Sequence, residues 1–303
     1  MDQRLAIDKK ASTIMVVLCL IWSFQQIALK VVAADITPIM QIALRSSGAA
    51  VLVAALMRWR GERFDWSAWR AGAVVAALFA VEFLLVGEAL LHTSASHAIV
   101  FLYTAPIFAA LGLHWKVPAE RLSKLQWMGI GLAFAGVATA FFGKDSTGGT
   151  VSSTLFGDFL ALLSAISWGA TTVAIRTTRL SQTLPTQTLL YQLVGASLIL
   201  LAVAAATGTM TVHLTTAVAA SLVFQTVVVS FISFLTWFWL LRNYLASRLG
   251  VFSFMTPVFG VVLGVLLLNE PIETRFVIGT GMVLCGIFIV SAQSVLVGMW
   301  SRK

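Results

Sequence analysis

Residues 22–30 read WSFQQIALK, and residues 168–176, in the other half of the chain, read WGATTVAIR. In both stretches a tryptophan is followed, after two residues, by a pair of polar side chains, and a basic residue ends the stretch. Apolar helices resemble one another by chance, but an ordered set of aromatic and polar positions is not expected from chance. The two stretches therefore predict an internal repeat.

Later parts of the two halves match in the same order. Residues 95–97 read ASH and are followed by Pro106, whereas residues 246–248 read ASR and are followed by Pro257. An acidic residue and three glycines then recur with the same spacing: Glu120, Gly129, Gly131 and Gly136 in the first half, and Glu270, Gly279, Gly281 and Gly286 in the second. We therefore predict two related domains, residues 1–150 and 151–303. The six glycines, together with Gly260 and Gly264, are predicted to form surfaces for close packing between helices.

The composition excludes most classes of protein. Of the 303 residues, 59% are hydrophobic and 11% are charged, whereas a soluble domain has roughly 45–50% apolar and about 25% charged residues. So few charges do not cover the surface of a soluble protein of this length, whereas a bilayer accepts apolar side chains on the outside. The chain is therefore predicted to be an all-α integral membrane protein with short loops.

Apolar runs between charged or turn-rich breaks predict ten transmembrane helices. Their predicted ranges are 12–32, 37–57, 69–91, 95–115, 123–142, 155–176, 185–206, 215–240, 246–268 and 274–296. Each half then contains five helices, an odd number, so the second half enters the membrane from the opposite side. The expected architecture is an inverted repeat, with a substrate site near the middle of the bilayer between the halves.

The basic residues predict the orientation of these helices, because cytoplasmic loops are enriched in Lys and Arg. With a cytoplasmic N-terminus, 16 of the 20 basic residues lie in cytoplasmic segments, Lys30, Lys144 and Arg275 lie outside, and Arg45 lies within a helix. Both termini are thus expected in the cytoplasm, and the net charge of +8 requires no nucleic acid. The first helix has an internal counterpart in residues 155–176, so we expect it to be retained and not cleaved as a signal peptide.

These features resemble the EamA-type branch of the drug/metabolite transporter superfamily over essentially the whole chain. The resemblance rests on two inverted five-helix halves, an early tryptophan, an Ala-Ser pair opening the fourth helix of each half, a proline within that helix, and the glutamate and glycines that follow. It implies a basket-like bundle that moves small organic solutes, often amino acids, outward across the bacterial inner membrane. The third and fourth helices are most similar to those of aromatic amino-acid exporters in that branch.

Two related helices each carry an aromatic ring beside hydrogen-bonding groups. Trp22 and Gln25 lie on one helical face by their three-residue spacing, and Trp168 and Thr171 repeat this arrangement. Such faces suit an aromatic or amphipathic solute, which needs a stacking surface and a few fixed polar contacts. They also suit packing between helices, and both roles stay open.

An acidic side chain, Glu82, lies near the centre of the third predicted helix. A carboxylate within a membrane is costly, so it is expected to be functional or paired. We expect Glu82 to bind a substrate ammonium group or to carry a coupling proton; a structural ion pair with Arg45, which also lies within a helix, is the alternative. Glu88, about two turns further along, lies close to the membrane surface.

Tyr103 and Pro106 lie on nearly the same face of the fourth predicted helix. Because proline removes a backbone donor and leaves a carbonyl group to be satisfied elsewhere, Pro106 and Pro257 are predicted to be hinges that face a cavity. A kink buried between helices is the alternative. Phe254 occupies the repeat position of Tyr103, and Trp237 is the tryptophan of the eighth helix that we expect at the same cavity.

Motifs of enzymes and metal sites are absent from the sequence. It has no P-loop, no His-Glu-x-x-His motif and no Gly-x-Ser-x-Gly elbow. Cys19 and Cys285 lie in apolar stretches near opposite ends of the chain. These absences favour a transporter without metal or cofactor over an enzyme. Together with what the resemblance implies, they lead us to predict a monomer that exports amino acids, aromatic or otherwise neutral, and similar metabolites by alternating access, as a uniporter or with proton coupling. Efflux of drugs or other metabolites is the first alternative, and a membrane-embedded enzyme or sensor is the second.

Overall fold

The computed structural model describes residues 8–118, 121–142, 151–244, 249 and 252–300, and this part of the chain is almost entirely helical. The helices are α1 (Lys9–Val31), α2 (Pro38–Trp59), α3 (Trp69–His92), α4 (Ala95–Leu102), α5 (Ala105–Lys116), α6 (Lys124–Phe142), α7 (Val151–Thr177), α8 (Pro185–Ala206), α9 (Thr216–Val223), α10 (Phe234–Asn243), α11 (Met255–Leu268) and α12 (Thr274–Trp300). A π-helical segment, Phe224–Ser233, connects α9 to α10.

Seven helical stretches of the described chain are long and apolar enough to cross a membrane. Two further apolar helices, Met255–Leu268 and Thr274–Val290, are shorter. Large apolar side chains are exposed on these helices, among them Val51 at 68%, Leu198 at 64% and Leu266 at 69%. Such exposure is expected where lipid replaces water around the bundle. The number of ten spans stays a prediction.

Local sequence explains where several helices begin and end. The Asp8 carboxylate accepts a hydrogen bond from the Ala11 amide at 2.7 Å and so caps the N-terminus of α1. Thr37 caps α2, and Pro38 lies in its first turn. Backbone N–H groups in the first turn have no partner within the helix, so the N–H that proline lacks costs no hydrogen bond there. Asn269 ends α11 in the left-handed conformation, with φ at 53°, which asparagine tolerates better than most residues.

The predicted fourth and ninth helices are both interrupted. α4 ends at Leu102, a turn at residues 103–104 follows, and α5 begins with Pro106 in its first turn. In the second half a turn at residues 253–254 precedes α11, which carries Pro257 near its start. The bend expected at Pro106 is therefore a break between α4 and α5, and Pro257 likewise lies in the first turn of α11, because proline fits the first turn of a helix but not its interior.

Close contact between α6 and α12 depends on glycine. A Cβ atom added at Gly136 would lie 2.6 Å from the carbonyl oxygen of Gly279, and one added at Gly129 would lie 2.8 Å from that of Gly286. Gly136 lies in the later part of α6 and contacts the start of α12, whereas Gly129 lies near the start of α6 and contacts a later part of α12. The two helices are therefore antiparallel. The predicted packing role is confirmed for these four glycines.

The remaining predicted packing glycines fall into two groups. Gly260 lies against Ile99 of α4, with 2.6 Å between an added Cβ atom and the Ile99 side chain, and Gly264 also lies close to α4. Gly131 and Gly281 have no neighbouring atom within 4 Å of an added Cβ. The packing role is wrong for these two, because a residue two positions along a helix lies nearly on the opposite face.

Polar contacts at one end of the bundle define the directions of α1 and α7. Lys30, in the last turn of α1, donates a hydrogen bond to the carbonyl oxygen of Thr93. The Thr93 hydroxyl donates to the carboxylate of Asp158, near the start of α7. The end of α1 thus lies at the same end of the bundle as the beginning of α7. These two helices, which carry the matching sequence stretches, run in opposite directions.

Candidate functional site

Two of the predicted site residues, Trp22 and Trp237, are in contact. Their ring centroids are 5.6 Å apart and their planes meet at 80°. The Trp22 Nε1 group donates a hydrogen bond to the Ser233 hydroxyl at 2.9 Å, and Ser233 in turn donates to the Val229 carbonyl. The contact joins α1 in the first half to the π-helical segment and α10 in the second. Trp239 is 41% exposed, so of these two tryptophans of α10 only Trp237 contacts Trp22.

A second aromatic pair, Tyr103 and Trp168, also joins the two halves. The ring centroids are 5.3 Å apart and the planes meet at 87°. Tyr103 is buried in the turn between α4 and α5, and Trp168 lies on α7. Phe254 occupies the corresponding turn before α11 and packs against the same apolar cluster. Pro106 and Pro257 follow these turns closely, each near the start of the next helix.

Arg45 and Glu82 are both buried, with 1% and 5% of their surface exposed. None of the ion pairs among the described residues joins them. The Arg45 Nη1 group donates instead to Gln225 Oε1 at 2.7 Å, and the guanidinium carbon lies 4.5 Å from the centre of the Phe83 ring. The two opposite charges still act on each other. The structural ion pair considered for Glu82 is therefore not formed by direct contact, and Arg45 has a neutral partner.

Gln225 connects α1, α2 and the π-helical segment. Its Oε1 accepts from Arg45, and its Nε2 donates to the carbonyl oxygen of Gln25 at 3.0 Å. Gln225 is fully buried near the start of the segment, and Ser233 lies at the segment's end. π-Helical turns are rare and occur frequently at functional sites. Our sequence analysis missed Gln225, although an amide inside an apolar run was the available signal.

Among the described residues, six buried side-chain polar atoms on six different elements have no hydrogen-bond partner. They are Gln26 Oε1 on α1, Arg45 Nε on α2, Glu82 Oε2 on α3, Ser230 Oγ on the π-helical segment, Thr256 Oγ1 on α11 and Thr280 Oγ1 on α12. Tyr103 lies close to both Thr256 and Glu82, and Arg45 acts on the charge of Glu82, so three of these elements, α2, α3 and α11, meet in one region. Because buried polar groups are almost always satisfied, such atoms mark a place where a bound solute or water supplies the partner.

Other predicted site residues occupy different positions. The Thr171 hydroxyl is buried and donates to the Ser167 carbonyl within α7 at 2.9 Å, so it is satisfied in its own helix. Gln25 contributes its backbone carbonyl to the bond with Gln225. Phe254 lines a cavity of about 490 Å³, whose walls are apolar side chains of α11 and α12. None of the other predicted site residues lines that cavity.

A buried polar cluster at the end of the bundle near Thr93 was not predicted. Asp158 is fully buried, accepts from the Thr93 hydroxyl and lies 3.0 Å from His97 Nδ1. The His97 ring stacks on Phe276, with centroids 3.9 Å apart and planes 6° apart. The available signal was a carboxylate, Asp158, inside an apolar run. Because Asp158 lies near the start of a predicted helix, it was not expected to lie within the membrane.

Glu270 lies at the same end of the bundle and binds the N-terminus of α4. Its carboxylate accepts hydrogen bonds from the amides of Ala95 and Ser96, at 2.7 and 3.0 Å. A helix N-terminus favours a carboxylate because its first amides lack partners and its dipole is positive there. The matching residues of the other half, Glu120 and residues 246–248, lie outside the described residues.

Polar contacts also join the halves at the opposite end of the bundle. The Thr186 hydroxyl donates to Glu62 at 2.5 Å. The Gln187 side chain accepts from the Asp65 amide at 2.9 Å and donates to the Asp65 carbonyl at 2.8 Å. Hydrogen bonds from Ser67 hold the pKa of the Asp65 carboxyl below its usual value. The first and second halves are thus joined by polar contacts at both ends of the bundle.

Within the described residues, no group of three or more His, Cys, Asp and Glu side chains is arranged to hold a metal ion. Cys19 is buried and its thiol donates to the Phe252 carbonyl at 3.2 Å, whereas Cys285 is exposed. The arrangement offers aromatic surfaces, two opposite charges and unpartnered polar atoms. It is suited to binding a small solute with both polar and apolar parts.

The model of the EamA-like transporter family matches residues 9–142 and 155–292. The uncharacterized transporter YoaV of Bacillus subtilis (strain 168) is 23% identical over 273 residues, which cover 89% of this chain and 92% of that protein. An uncharacterized transporter of Archaeoglobus fulgidus is 24% identical over 294 residues, which cover 94% and 99%. A crystal structure of a protein that is 19% identical has a TM-score of 0.66 and covers 94% of this chain and 96% of its own. The two chains therefore share a fold.

Proposed function

The chain belongs to the EamA-like transporter family, and we propose that it exports amino acids and similar small metabolites by alternating access. A multi-pass membrane protein agrees with both the family and the seven membrane-length helical stretches. The observation that carries the proposal is the buried, unpartnered Glu82 oxygen near Tyr103, whose ring contacts Trp168 and so joins one half of the chain to the other. A solute with an amino group and an apolar or aromatic part matches these groups.

Two inverted five-helix halves, residues 1–150 and 151–303, underlie this activity. The family model supports the duplication, because it matches the chain in two segments. The opposite directions of α1 and α7 support the inversion, since two matching helices run the same way in a direct repeat. Ten spans result when α4 and α5 form one span, and when α9, the π-helical segment and α10 form another.

Contacts between the halves at both ends of the bundle support alternating access. At one end Asp158 of the second half contacts Thr93 of the first, and at the other end Gln187 of the second half contacts Asp65 of the first. With both sets in place the solute site is closed to both sides. Rocking of the halves opens one set of contacts while the other set remains, so the site faces one side at a time.

The aromatic pairs and Glu82 bind different parts of the solute. Trp22 with Trp237, and Tyr103 with Trp168, provide the faces and edges against which an aromatic or aliphatic side chain packs. Glu82 binds the ammonium group, or carries a proton when transport is coupled to one. A buried carboxylate without a direct counter-ion suits either role, because it favours a bound positive charge.

Five further residues have supporting roles in the proposal. Gln25, Thr171 and Phe254 form parts of the wall around the solute. Pro106 and Pro257 act as hinges, because each follows a turn at which the helical hydrogen bonding is already interrupted. Bending at such a turn breaks fewer backbone bonds than bending within a continuous helix.

The proposed location is the bacterial inner membrane, with both termini in the cytoplasm and the protein acting as a monomer. The orientation is supported by the basic residues, which concentrate in the segments on one side of the predicted spans.

Near the N-terminus, the Tyr244 hydroxyl donates to the Asp8 carboxylate at 3.2 Å. Burial, together with Asp8, raises the pKa of Tyr244 above its usual value.

Flux of labelled tryptophan, phenylalanine and leucine into proteoliposomes that contain the purified protein tests the proposal. We expect saturable flux above that of empty liposomes. Flux without a proton gradient would establish facilitated diffusion, whereas accumulation that requires an imposed gradient would establish coupling. If none of a broad panel of amino acids moves faster than in empty liposomes, the proposed substrate class is wrong.

Efflux of organic cations is the second candidate, and it is favoured by the same unpartnered Glu82 oxygen beside aromatic rings, which suits a cationic aromatic drug. A fluorescent organic cation included in the same panel separates the two candidates. Transport of the cation without transport of amino acids would favour drug efflux.

A further inference from the structure

Arg45 does not behave as a structural counter-charge in this bundle. It is the largest side chain of the described residues that is almost fully buried, yet its Nε group has no hydrogen-bond partner. We propose that Arg45 binds a carboxylate of the solute, that Gln225 positions the guanidinium group for this contact, and that transported solutes must carry a carboxylate together with an ammonium group. This inference rests on the proposed function and adds to it the chemistry that selects the solute.

The surroundings of Arg45 leave one edge of the guanidinium group for a ligand. Nη1 is occupied by Gln225 Oε1 at 2.7 Å, and the Phe83 ring lies 4.5 Å from the guanidinium carbon. The Nε edge is therefore the part without a partner. A guanidinium edge matches a carboxylate in shape and charge, since two parallel N–H groups can donate to its two oxygens.

The opposite charges of Arg45 and Glu82 favour a solute that carries both an anionic and a cationic group. The two side chains attract each other but are not in ion-pair contact, and each has an unpartnered atom. A solute carboxylate at Arg45 and a solute ammonium at Glu82 would place four charges of alternating sign in a row. A solute without the carboxylate would leave the arginine unpaired in a buried site, which is costly.

Gln225 is suited to hold Arg45 in this arrangement. Both ends of its amide are used, since Oε1 accepts from Arg45 and Nε2 donates to the Gln25 carbonyl on α1. The amide is therefore fixed in one orientation, with its acceptor toward the arginine. Because Gln225 lies in the π-helical segment of the second half and Arg45 lies in the first, the carboxylate-binding group is positioned by a contact between the halves.

The solute profile of the unaltered protein provides the first test. Proteoliposome flux is measured for tryptophan, for tryptamine, which lacks the carboxylate, and for indole-3-propionate, which lacks the ammonium group. A leucine series with isoamylamine and 4-methylpentanoate controls for ring size. We expect tryptophan and leucine to move at least about 10-fold faster than either analogue, because each analogue leaves one buried charge unpaired.

Tryptamine flux within about twofold of tryptophan flux would overturn the inference and leave the proposed transport of amine-bearing solutes intact. If neither the amino acids nor the analogues move, the proposed function fails, and the inference that rests on it fails too. The failure of the inference and the failure of the proposed function can therefore be distinguished with the unaltered protein alone.

Variants provide a second test, read as the ratio of tryptophan flux to tryptamine flux. Arg45→Gln and Gln225→Leu are expected to lower this ratio at least about fivefold, with Arg45→Lys intermediate because lysine keeps the charge but not the planar edge. Gln126→Leu is the matched control, since Gln126 Nε2 also bonds between helices, to the Val290 carbonyl at 3.0 Å, away from the site. Equal loss of both fluxes with an unchanged ratio would indicate a structural role and overturn the inference.

Discussion

The indole Nε1 of Trp22 lies 2.9 Å from the hydroxyl oxygen of Ser233, at the end of the π-helical segment. The same ring contacts Trp237 edge to face. One side chain of α1 thus combines a hydrogen bond and an aromatic contact with the other half of the chain. A conformational change that separates the halves has to break or rearrange both.

Trp22→Phe keeps a ring but removes the donor to Ser233. We expect an apparent Tm lowered by an amount that corresponds to about 1 kcal/mol, the usual net value of a hydrogen bond between neutral groups. The measurement is thermal unfolding in detergent at a fixed scan rate. Ser233→Ala should have a similar effect, and the double variant should add little to either single change; additive effects would contradict the importance of this bond.

Trp168→Ala and Tyr103→Ala should each reduce transport while leaving the fold intact, because they remove faces of the proposed solute site. Flux is measured beside membrane expression and monodispersity in detergent. Tyr103→Phe is the matched control, since it keeps the edge-to-face contact with Trp168 at 5.3 Å and loses only the hydroxyl. If the alanine variants lose expression and monodispersity as much as flux, the pair has a packing role.

Gly136→Ala should destabilise the contact between α6 and α12. The added methyl group would lie 2.6 Å from the Gly279 carbonyl oxygen and 2.7 Å from the Val283 amide, both of which are backbone atoms. Overpacking of this kind costs about 1–3 kcal/mol. Gly131→Ala is the control, because nothing lies within 4 Å of its Cβ position and alanine is the better helix former by roughly 0.5–1 kcal/mol. Equal apparent Tm values for the two variants would contradict the close approach of α6 and α12.

Asp158→Ala should be among the most destabilising single changes at the end of the bundle near Thr93. It removes the acceptor of the Thr93 hydroxyl and the carboxylate beside His97, both in a buried site. Removing one partner of a buried pair costs about 3–5 kcal/mol. The comparison is Glu88→Ala, whose pair with His92 is partly exposed and is expected to contribute about 0–1 kcal/mol. Similar apparent Tm values for both variants would show that the Asp158 cluster is not a structural element.

Much of the fold was predictable because the signal is local. Helix α8 coincides with the predicted range 185–206, and α2, α3 and α6 begin within one residue of their predictions. The break at residues 103–104 was not predicted as a break, because proline indicates an interruption without specifying its extent. The π-helical segment was not predicted either, because a helical pattern of apolar residues does not distinguish a π-helical turn from an α-helical one.

The candidate site was predicted in its residue types and only partly in its contacts. Trp22 meets Trp237 and Tyr103 meets Trp168, which neither spacing nor periodicity could specify. Gln225 and Asp158 were missed, although each is a polar residue inside an apolar run. Their partners come from other helices, so only the packing of the bundle identifies what they bind.

The sequence by itself determined that this chain is a membrane protein, where most of its helices lie, and that its halves carry matching residues. These properties depend on the apolar content and turn residues of each segment, which do not require knowledge of distant parts of the chain. Only the tertiary structure decided that Arg45 bonds to Gln225, 180 positions away, and not directly to Glu82. The physical reason is that partners between helices depend on how the helices rotate and cross, and a uniformly apolar sequence leaves both open.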